Sequence, residues 1–230
     1  MSRPLRDEER KAWQRLIRVI SHEINNSLAP IKSIAGSLES MLDRSPLAGD
    51  WQDDMRRGLA VIATRSDALG RFTASYATLA KLPEPRRLHV RVLDLVRRVV
   101  GLETRLGIEI LEGPDVALHA DPDQIEQLLI NLIQNADDAA IEQGGRVTVG
   151  WMREGSFVLW VDDEGAGLPS DANLFVPFFT TKPGGSGIGL VLSRQIAEAH
   201  GGSLTLQNRK DRSGCRATLQ LPLTGADARV

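Results

Sequence analysis

Cysteine is all but missing. Cys215 is the single thiol in 230 residues, which excludes an internal disulfide and a cysteine-built zinc cluster and points to a reducing, cytosolic setting. Net charge is nearly missing too: 28 basic and 30 acidic side chains leave a formal −2. Composition therefore gives no strong pull toward nucleic acid or an anionic membrane, and neither is expected as a partner. No apolar run is long enough for a signal peptide or a membrane span, and "MSRPLRDEERKAWQRLIRVI" is charged from its start. As given, the chain reads as soluble with no membrane contact of its own, and an excised piece of a longer protein would read the same. Internal repeats and low-complexity tracts are also lacking. What is plentiful is core material: with 42% hydrophobic residues, the chain can build one large domain or two small ones.

Between residues 7 and 43, Ile17, Ile24, Ile31 and Leu38 recur every seven positions, with Ile20, Ile34 and Met41 beside them. The spacing predicts a long helix with a coiled-coil-like seam. "DRSPLAGD" then gathers Pro46 and Gly49 as a chain reversal. Met55, Ile62, Leu69 and Tyr76 repeat by seven up to about residue 80, predicting a second helix antiparallel to the first. Two helices cannot enclose a core, so two hairpins are expected to pair as a four-helix bundle, making the protein a homodimer. "KLPEPRR" ends this part and starts another. After it, residues 91–101 predict a short helix, "GIEIL" and "VALHA" short strands, and residues 122–141 an amphipathic helix with Asp121 as N-cap and proline in its first turn. "RVTVGWMR" and "FVLWVDD" flank a hairpin signal, "SRQIAEAHGG" reads as a helix closed by glycine, and "SLTLQN" and residues 216–221 as the last strands. The fold class is α+β: a helical hairpin, then an α/β sandwich with a mixed sheet covered by helices on one face.

Four stretches carry chemistry. In "SHEINNSL" the seam register turns His22 away from the core, with Glu23 adjacent and Asn26 one turn on along the same face. Alone, this reads as a surface histidine. An imidazole is nucleophilic with one nitrogen unprotonated, however, and a neighbouring carboxylate that accepts from the other N–H fixes that tautomer. In "NLIQNADDA" Asn131 and Asn135 share the polar face of the 122–141 helix, as a solvated face or as amide oxygens for Mg²⁺ held jointly with phosphates. "VDDEGAGLP" ends a strand in acids and turns at Gly165 and Gly167, where Asp163 could accept from an exocyclic amine such as adenine's. In "FVPFFTTKPGGSGIGL", Gly184, Gly185, Gly187 and Gly189 lead into a helix at Leu190 with Lys182 upstream. Free N–H groups and the positive end of the helix dipole make this a phosphate cradle, distinct from both the P-loop and the dinucleotide fingerprint.

In this order the stretches resemble the sensor histidine kinases of two-component signalling. "SHEINNSL" is similar to the H box, "NLIQNADDA" to the N box, "DEGAGL" to the first glycine box, "FVPFF" to the F box and "GGSGIGL" to the second glycine box. "FFTTK" and "GIGL" look most like the nitrogen-regulation branch. The resemblance implies a dimerisation and histidine phosphotransfer hairpin over residues 1–82 and an ATP-binding catalytic domain of the Bergerat (GHKL) fold over residues 83–230. It implies ATP and Mg²⁺ as cofactors, a response regulator receiver domain as partner, and phosphatase activity toward that regulator. His22 would be the phosphoacceptor, Glu23 its activating base, and Asn26 the residue that positions water for dephosphorylation. Asn135 would hold Mg²⁺ and Asp163 would read adenine. Gly165, Gly167, Gly187 and Gly189 would be lid hinges and phosphate contacts, with Thr181, Lys182, Gly185 and Leu190 alongside the nucleotide. Asn131 stands where hydrolysing relatives place a glutamate; an amide cannot activate water as a base, which favours transfer to histidine. Two positions depart from the family pattern: Ser27, which also sits at a seam position, replaces a common proline, and Asp138, also near the nucleotide, replaces a basic residue. The implied location is cytoplasmic, or the cytoplasmic part of a longer, membrane-anchored kinase. A nucleotide-binding pseudokinase scaffold, and a GHKL ATPase or serine kinase, stay open as alternatives.

Overall fold

The computed structural model describes residues 3–43, 50–80, 82–169, 174–180, 182, 185 and 187–223, with the side chains of residues 3–20, 22, 23, 71 and 74–80 outside that description. The chain divides into two compact units, Met1–Ala80 and Lys81–Val230.

The first unit is a pair of helices, α1 (Arg3–Leu42) and α2 (Trp51–Ala80). α1 starts at Arg3, four residues before the stretch from residue 7 over which the sequence predicts it, through residues rich in Arg, Glu, Lys and Ala that favour helix without a seam. The reversal at Pro46 and Gly49 lies outside the described residues. On the facing sides Ser27 and Leu38 are buried, and Ile24, Ile31, Met55, Ile62 and Leu69 are half-buried. Gly58 permits the close approach: a Cβ there would stand 2.8 Å from the Leu38 side chain. Pro30 lies inside α1, one turn after the position where the sequence comparison missed a proline. As a proline it has no N–H of its own to donate within the helix. Leu28, Leu42, Leu59 and Val61 remain 41–56% exposed.

The second unit runs β1 (Leu88–Arg91), α3 (Val92–Val100), β2 (Ile108–Leu111), β3 (Ala117–Ala120), α4 (Pro122–Ile141), β4 (Val147–Glu154), β5 (Ser156–Asp163), α5 (Gly189–Ala199), β6 (Ser203–Asn208) and β7 (Cys215–Pro222). Its main sheet has the order β2-β4-β5-β7-β6, parallel between β2 and β4 and antiparallel elsewhere. The mixed sheet is as the sequence predicts, with one difference. The "VALHA" strand does not join it; β3 pairs instead with β1, a strand the sequence reading places in no sheet. In β1 only Val90 is even half-buried, so it shows no apolar alternation. α5 begins at Gly189, directly at the glycine-rich loop, as the reading of a helix entered at Leu190 has it, and "SRQIAEAHGG" covers its later part.

The core lies between the inward residues of β5 (Phe157, Leu159, Val161) and Leu128, Leu129, Leu132 and Ile133 of α4, all 2% exposed or less. Burial on this scale contributes about 1.5–3 kcal/mol per large apolar side chain. α4 starts as predicted. One carboxylate oxygen of Asp121 accepts from the N–H groups of Asp123 and Gln124, both at 3.1 Å, and the other accepts from Arg86 N–H at 2.8 Å. Gln124 adds a bond from its Nε2 to the Pro83 carbonyl at 2.9 Å. The stretch that leads into this unit is therefore strapped to the start of α4.

At the far end of α5, the buried His200 completes the junction. Its Nε2 accepts from Asp121 N–H at 3.0 Å, and its Nδ1 lies 2.8 Å from the Ile196 carbonyl, which fixes a neutral ring protonated on Nδ1. Burial pushes the His200 pKa down, and Arg87 adds to this. Unfolded His200 takes up a proton near pH 6.5 while the folded ring resists, so its contribution is complete above that pH and is lost as pH falls below it. Lowering pH from 7 toward 5.5 is expected to reduce unfolding free energy by at most about 1.4 kcal/mol per pH unit from this group. In denaturant titrations His200→Gln should show a smaller loss over the same range than the unmodified protein.

Candidate functional site

The chain reaches the site from β5. Asp163 ends that strand, buried, and its Oδ1 accepts from Gly165 N–H at 2.9 Å and Cys215 N–H at 3.1 Å. One oxygen is thus fixed by two backbone donors. Burial nevertheless pushes the Asp163 pKa up, the two backbone bonds and Arg209 only partly opposing it. Close backbone approach is what makes the arrangement possible. A Cβ on Gly214 would fall 1.9 Å from the Asp163 carbonyl oxygen, and one on Gly165 would fall 2.7 Å from the Ala139 carbonyl of α4. Gly167 has φ +81°, with Asn208 against it. The Asn208 amide clamps the next residue, its Oδ1 accepting from Leu168 N–H at 2.6 Å and its Nδ2 donating to the Leu168 carbonyl at 3.0 Å. Ser213 Oγ donates to the Gly165 carbonyl at 2.8 Å.

Beside Asp163 opens a cavity of about 680 Å³, within the usual range of small-molecule sites, about 300–1,000 Å³. Asp163, Gly167 and Cys215 line one part of it, and Asn131, Asn135 and Asp138 line another from a single face of α4. Lys182, Gly185, Gly187, Gly189 and Leu190 complete it from the glycine-rich segment. Gly165, expected beside the nucleotide, does not line it, and Thr181 lies outside the described residues. Burial pushes the Cys215 thiol up to about 12, so this wall is a neutral S–H rather than a nucleophile.

The α4 face has more internal order than a solvated polar stripe. Asn131 reaches α5, its Nδ2 donating to the Gly189 carbonyl at 3.3 Å and to Ser193 Oγ at 3.4 Å. Ile188 supplies no side-chain cap for α5, so the first N–H groups of that helix are presented beside the cavity, as a phosphate would require. Lys182 Nζ donates to Asn135 Oδ1 at 2.9 Å and to Asp138 Oδ2 at 2.7 Å. Asp138 Oδ1 takes Arg105 at 2.6 Å, and Arg105 also pairs with Glu103 at 3.1 Å and with the fully buried Asp137 at 3.0 Å. Burial raises the Asp138 pKa, but the bonds from Lys182 and Arg105 outweigh this and hold it below the ordinary carboxylate range. Asp137 shows the opposite balance and is raised, by burial first and by Glu103 second.

These oxygens fit a hard cation, since an ammonium already sits between them. Among the described residues no group of three or more His, Cys, Asp or Glu side chains could hold a metal unaided, so a cation here would take its remaining ligands from a bound anion. In the glycine-rich segment, Phe178 adopts φ +65° and its N–H donates to the Gly187 carbonyl at 3.0 Å. A Cβ on Gly187 would come 2.5 Å from the Phe178 backbone, which makes glycine obligatory there.

His22, Glu23 and Asn26 lie in the other unit, on α1. The side chains of His22 and Glu23 are outside the described residues; Asn26 is exposed and Ser27 buried, as the seam register predicts. Sequence reasoning did not find Asn208, Ser213, Gly214 or Arg105. The glycine in "RSGC" was the one available signal, and it carries no fixed spacing to Asp163.

Residues 120–225 match the family described as histidine kinase-, DNA gyrase B- and HSP90-like ATPase. The chain is 30% identical over 242 residues to the sensor histidine kinase ZraS of Escherichia coli O157:H7, covering 96% of this chain and 50% of that protein. It is 32% identical over 216 residues to the sensor protein kinase PilS of Pseudomonas aeruginosa, covering 87% and 39%. Its fold is similar to that of histidine kinase ThkA, solved in complex with the response regulator protein TrrA, with TM-score 0.64, 23% identity, and 95% and 66% coverage. The chain spans about half the length of ZraS and less of PilS. No described helix is long and apolar enough to cross a membrane.

The Asn208 clamp is open to direct measurement. Asn208→Ala removes a paired amide contact whose net value is about 1 kcal/mol, and hydrogen exchange at the Leu168 amide should accelerate several-fold while that of the β5–β7 ladder stays unchanged.

Proposed function

The chain belongs to the sensor histidine kinases and carries their ATPase domain, and on that premise we propose that it uses ATP to phosphorylate its own His22 and then passes the phosphoryl group to an aspartate of a response regulator. One observation supports this most. A single cavity is lined by residues from four separate stretches of the chain, among them the carboxylates of Asp163 and Asp138, two asparagines, a helix N-terminus without a side-chain cap and a lysine. The protein solved with a response regulator is a relative in fold, and its partner suggests the class of acceptor.

In this reading the free oxygen of Asp163 accepts from the exocyclic amine of adenine, its other oxygen being held by Gly165 and Cys215. A carbonyl at that position would face the carboxylate and be disfavoured, which selects adenine over guanine. The amides at the start of α5 and the Lys182 ammonium bind the phosphates. Mg²⁺ held by Asn135 would neutralise phosphate charge. Asn131 keeps α5 in place and, as an amide, cannot deprotonate water, so hydrolysis competes poorly with phosphoryl transfer to histidine. The neutral nitrogen of His22 attacks the γ-phosphorus, ADP leaves, and Glu23 accepts from the N–H of the other ring nitrogen as positive charge develops. The exposed apolar residues of the hairpin, Leu28, Leu42, Leu59 and Val61, support dimerisation through a four-helix bundle. The location that fits is cytoplasmic, alone or as part of a longer protein.

Incubated with γ-labelled MgATP, the protein is expected to acquire an acid-labile, alkali-stable label that is lost in His22→Gln. Label undiminished in that variant would contradict the assignment. Regulator dephosphorylation gives a second measurement: Asn26→Ala is expected to keep autophosphorylation within a few-fold and to lose dephosphorylation, whereas equal loss of both would mean that Asn26 only supports the helix.

A further inference from the structure

Resting on the reading of the cavity as a MgATP site, we propose that Asn135 and Asp138 form one cation seat, occupied by the Lys182 ammonium in the nucleotide-free protein and handed to Mg²⁺ when nucleotide enters. Asn135 Oδ1 and Asp138 Oδ2 lie three residues apart on α4, so they project from one face. Both are within hydrogen-bond distance of the same nitrogen, at 2.9 and 2.7 Å. The seat is built from behind. Arg105 holds the other oxygen of Asp138 at 2.6 Å and is itself tied to Glu103 and to the buried Asp137. Arg105 is therefore committed, whereas Lys182 is carried by a flexible four-carbon stem and can swing.

A divalent ion and an ammonium cannot share these two oxygens, because like charges at contact distance repel. Mg²⁺ arriving with ATP would therefore displace Lys182, whose ammonium would then pair with the γ-phosphate. The seat makes metal binding and delivery of Lys182 to the phosphates a single exchange. Asp138 gains a role: it is a positioning residue that parks Lys182 beforehand and faces the metal, directly or through a coordinated water, afterwards.

ADP tests this without catalysis, since it has no γ-phosphate for Lys182 to reach. Its dissociation constant, measured by calorimetry on the full chain with Mg²⁺ and again with the metal chelated, separates the two roles of the lysine. Lys182→Met leaves the seat open, and MgADP should bind at least threefold more tightly than to the unmodified protein. Asp138→Asn should weaken MgADP at least threefold and spare metal-free ADP. Lys182→Arg keeps a cation in place and should leave MgADP affinity near that of the unmodified protein. A lysine that served only as a phosphate contact would give weaker MgADP binding in Lys182→Met, and this result, or an unchanged affinity in both Lys182→Met and Asp138→Asn, would overturn the exchange. If the unmodified protein binds no ADP at all, the nucleotide reading itself fails.

Discussion

Two backbone N–H groups converging on one oxygen of Asp163 are the constraint on which the second unit is arranged. A buried carboxylate needs several partners to offset its lost hydration, and here they come from the glycine turn after β5 and from the start of β7. To supply them, the chain must bring three backbones closer than side chains allow. Gly214 meets the Asp163 carbonyl and Gly165 meets α4. Asn208 and Ser213 then fix the turn. Asp163 itself lines the cavity, its second oxygen outside these two bonds, on a strand whose other inward residues form the core.

α4 serves the opposite side in a similar way. Its apolar face, Leu128, Leu129, Leu132 and Ile133, is buried against β5, so its polar face is fixed in rotation with no tolerance for drift. Asn131, Asn135 and Asp138 therefore stand at set heights along the cavity. Asn131 holds the start of α5, and the other two hold a cation. The charges alternate outward from the buried Asp137 through Arg105 and Asp138 to Lys182, an arrangement in which each ion limits the desolvation cost of the next.

Much of this was legible in the sequence. α4 falls on residues 122–141 as its N-cap and periodicity indicate, and the hairpin of β4 and β5 follows from alternation around Gly155. The seam of α1 placed Ser27 inward and Asn26 outward before any coordinates. What was not legible depends on contacts between residues distant in sequence. β1 shows no apolar alternation because it pairs in a small separate sheet with β3. Asn208 and Arg105 act through partners 40 and 33 residues away, and no local pattern encodes such a pairing. The lysine in "FFTTKPGG" read as a phosphate ligand; that it rests on Asn135 and Asp138 follows only from the fold.

The claim that carries the rest is that Asp163 reads an adenine amine. Asp163→Asn preserves shape and offers N–H where a carboxylate oxygen stood, so the direct measurement is the affinity of the full chain for MgADP and MgGDP, with and without that substitution. The account predicts that the unmodified protein binds MgADP at one site per chain, binds MgGDP at least tenfold more weakly, and loses most MgADP affinity in Asp163→Asn. MgADP binding that is unaffected by the substitution would contradict it.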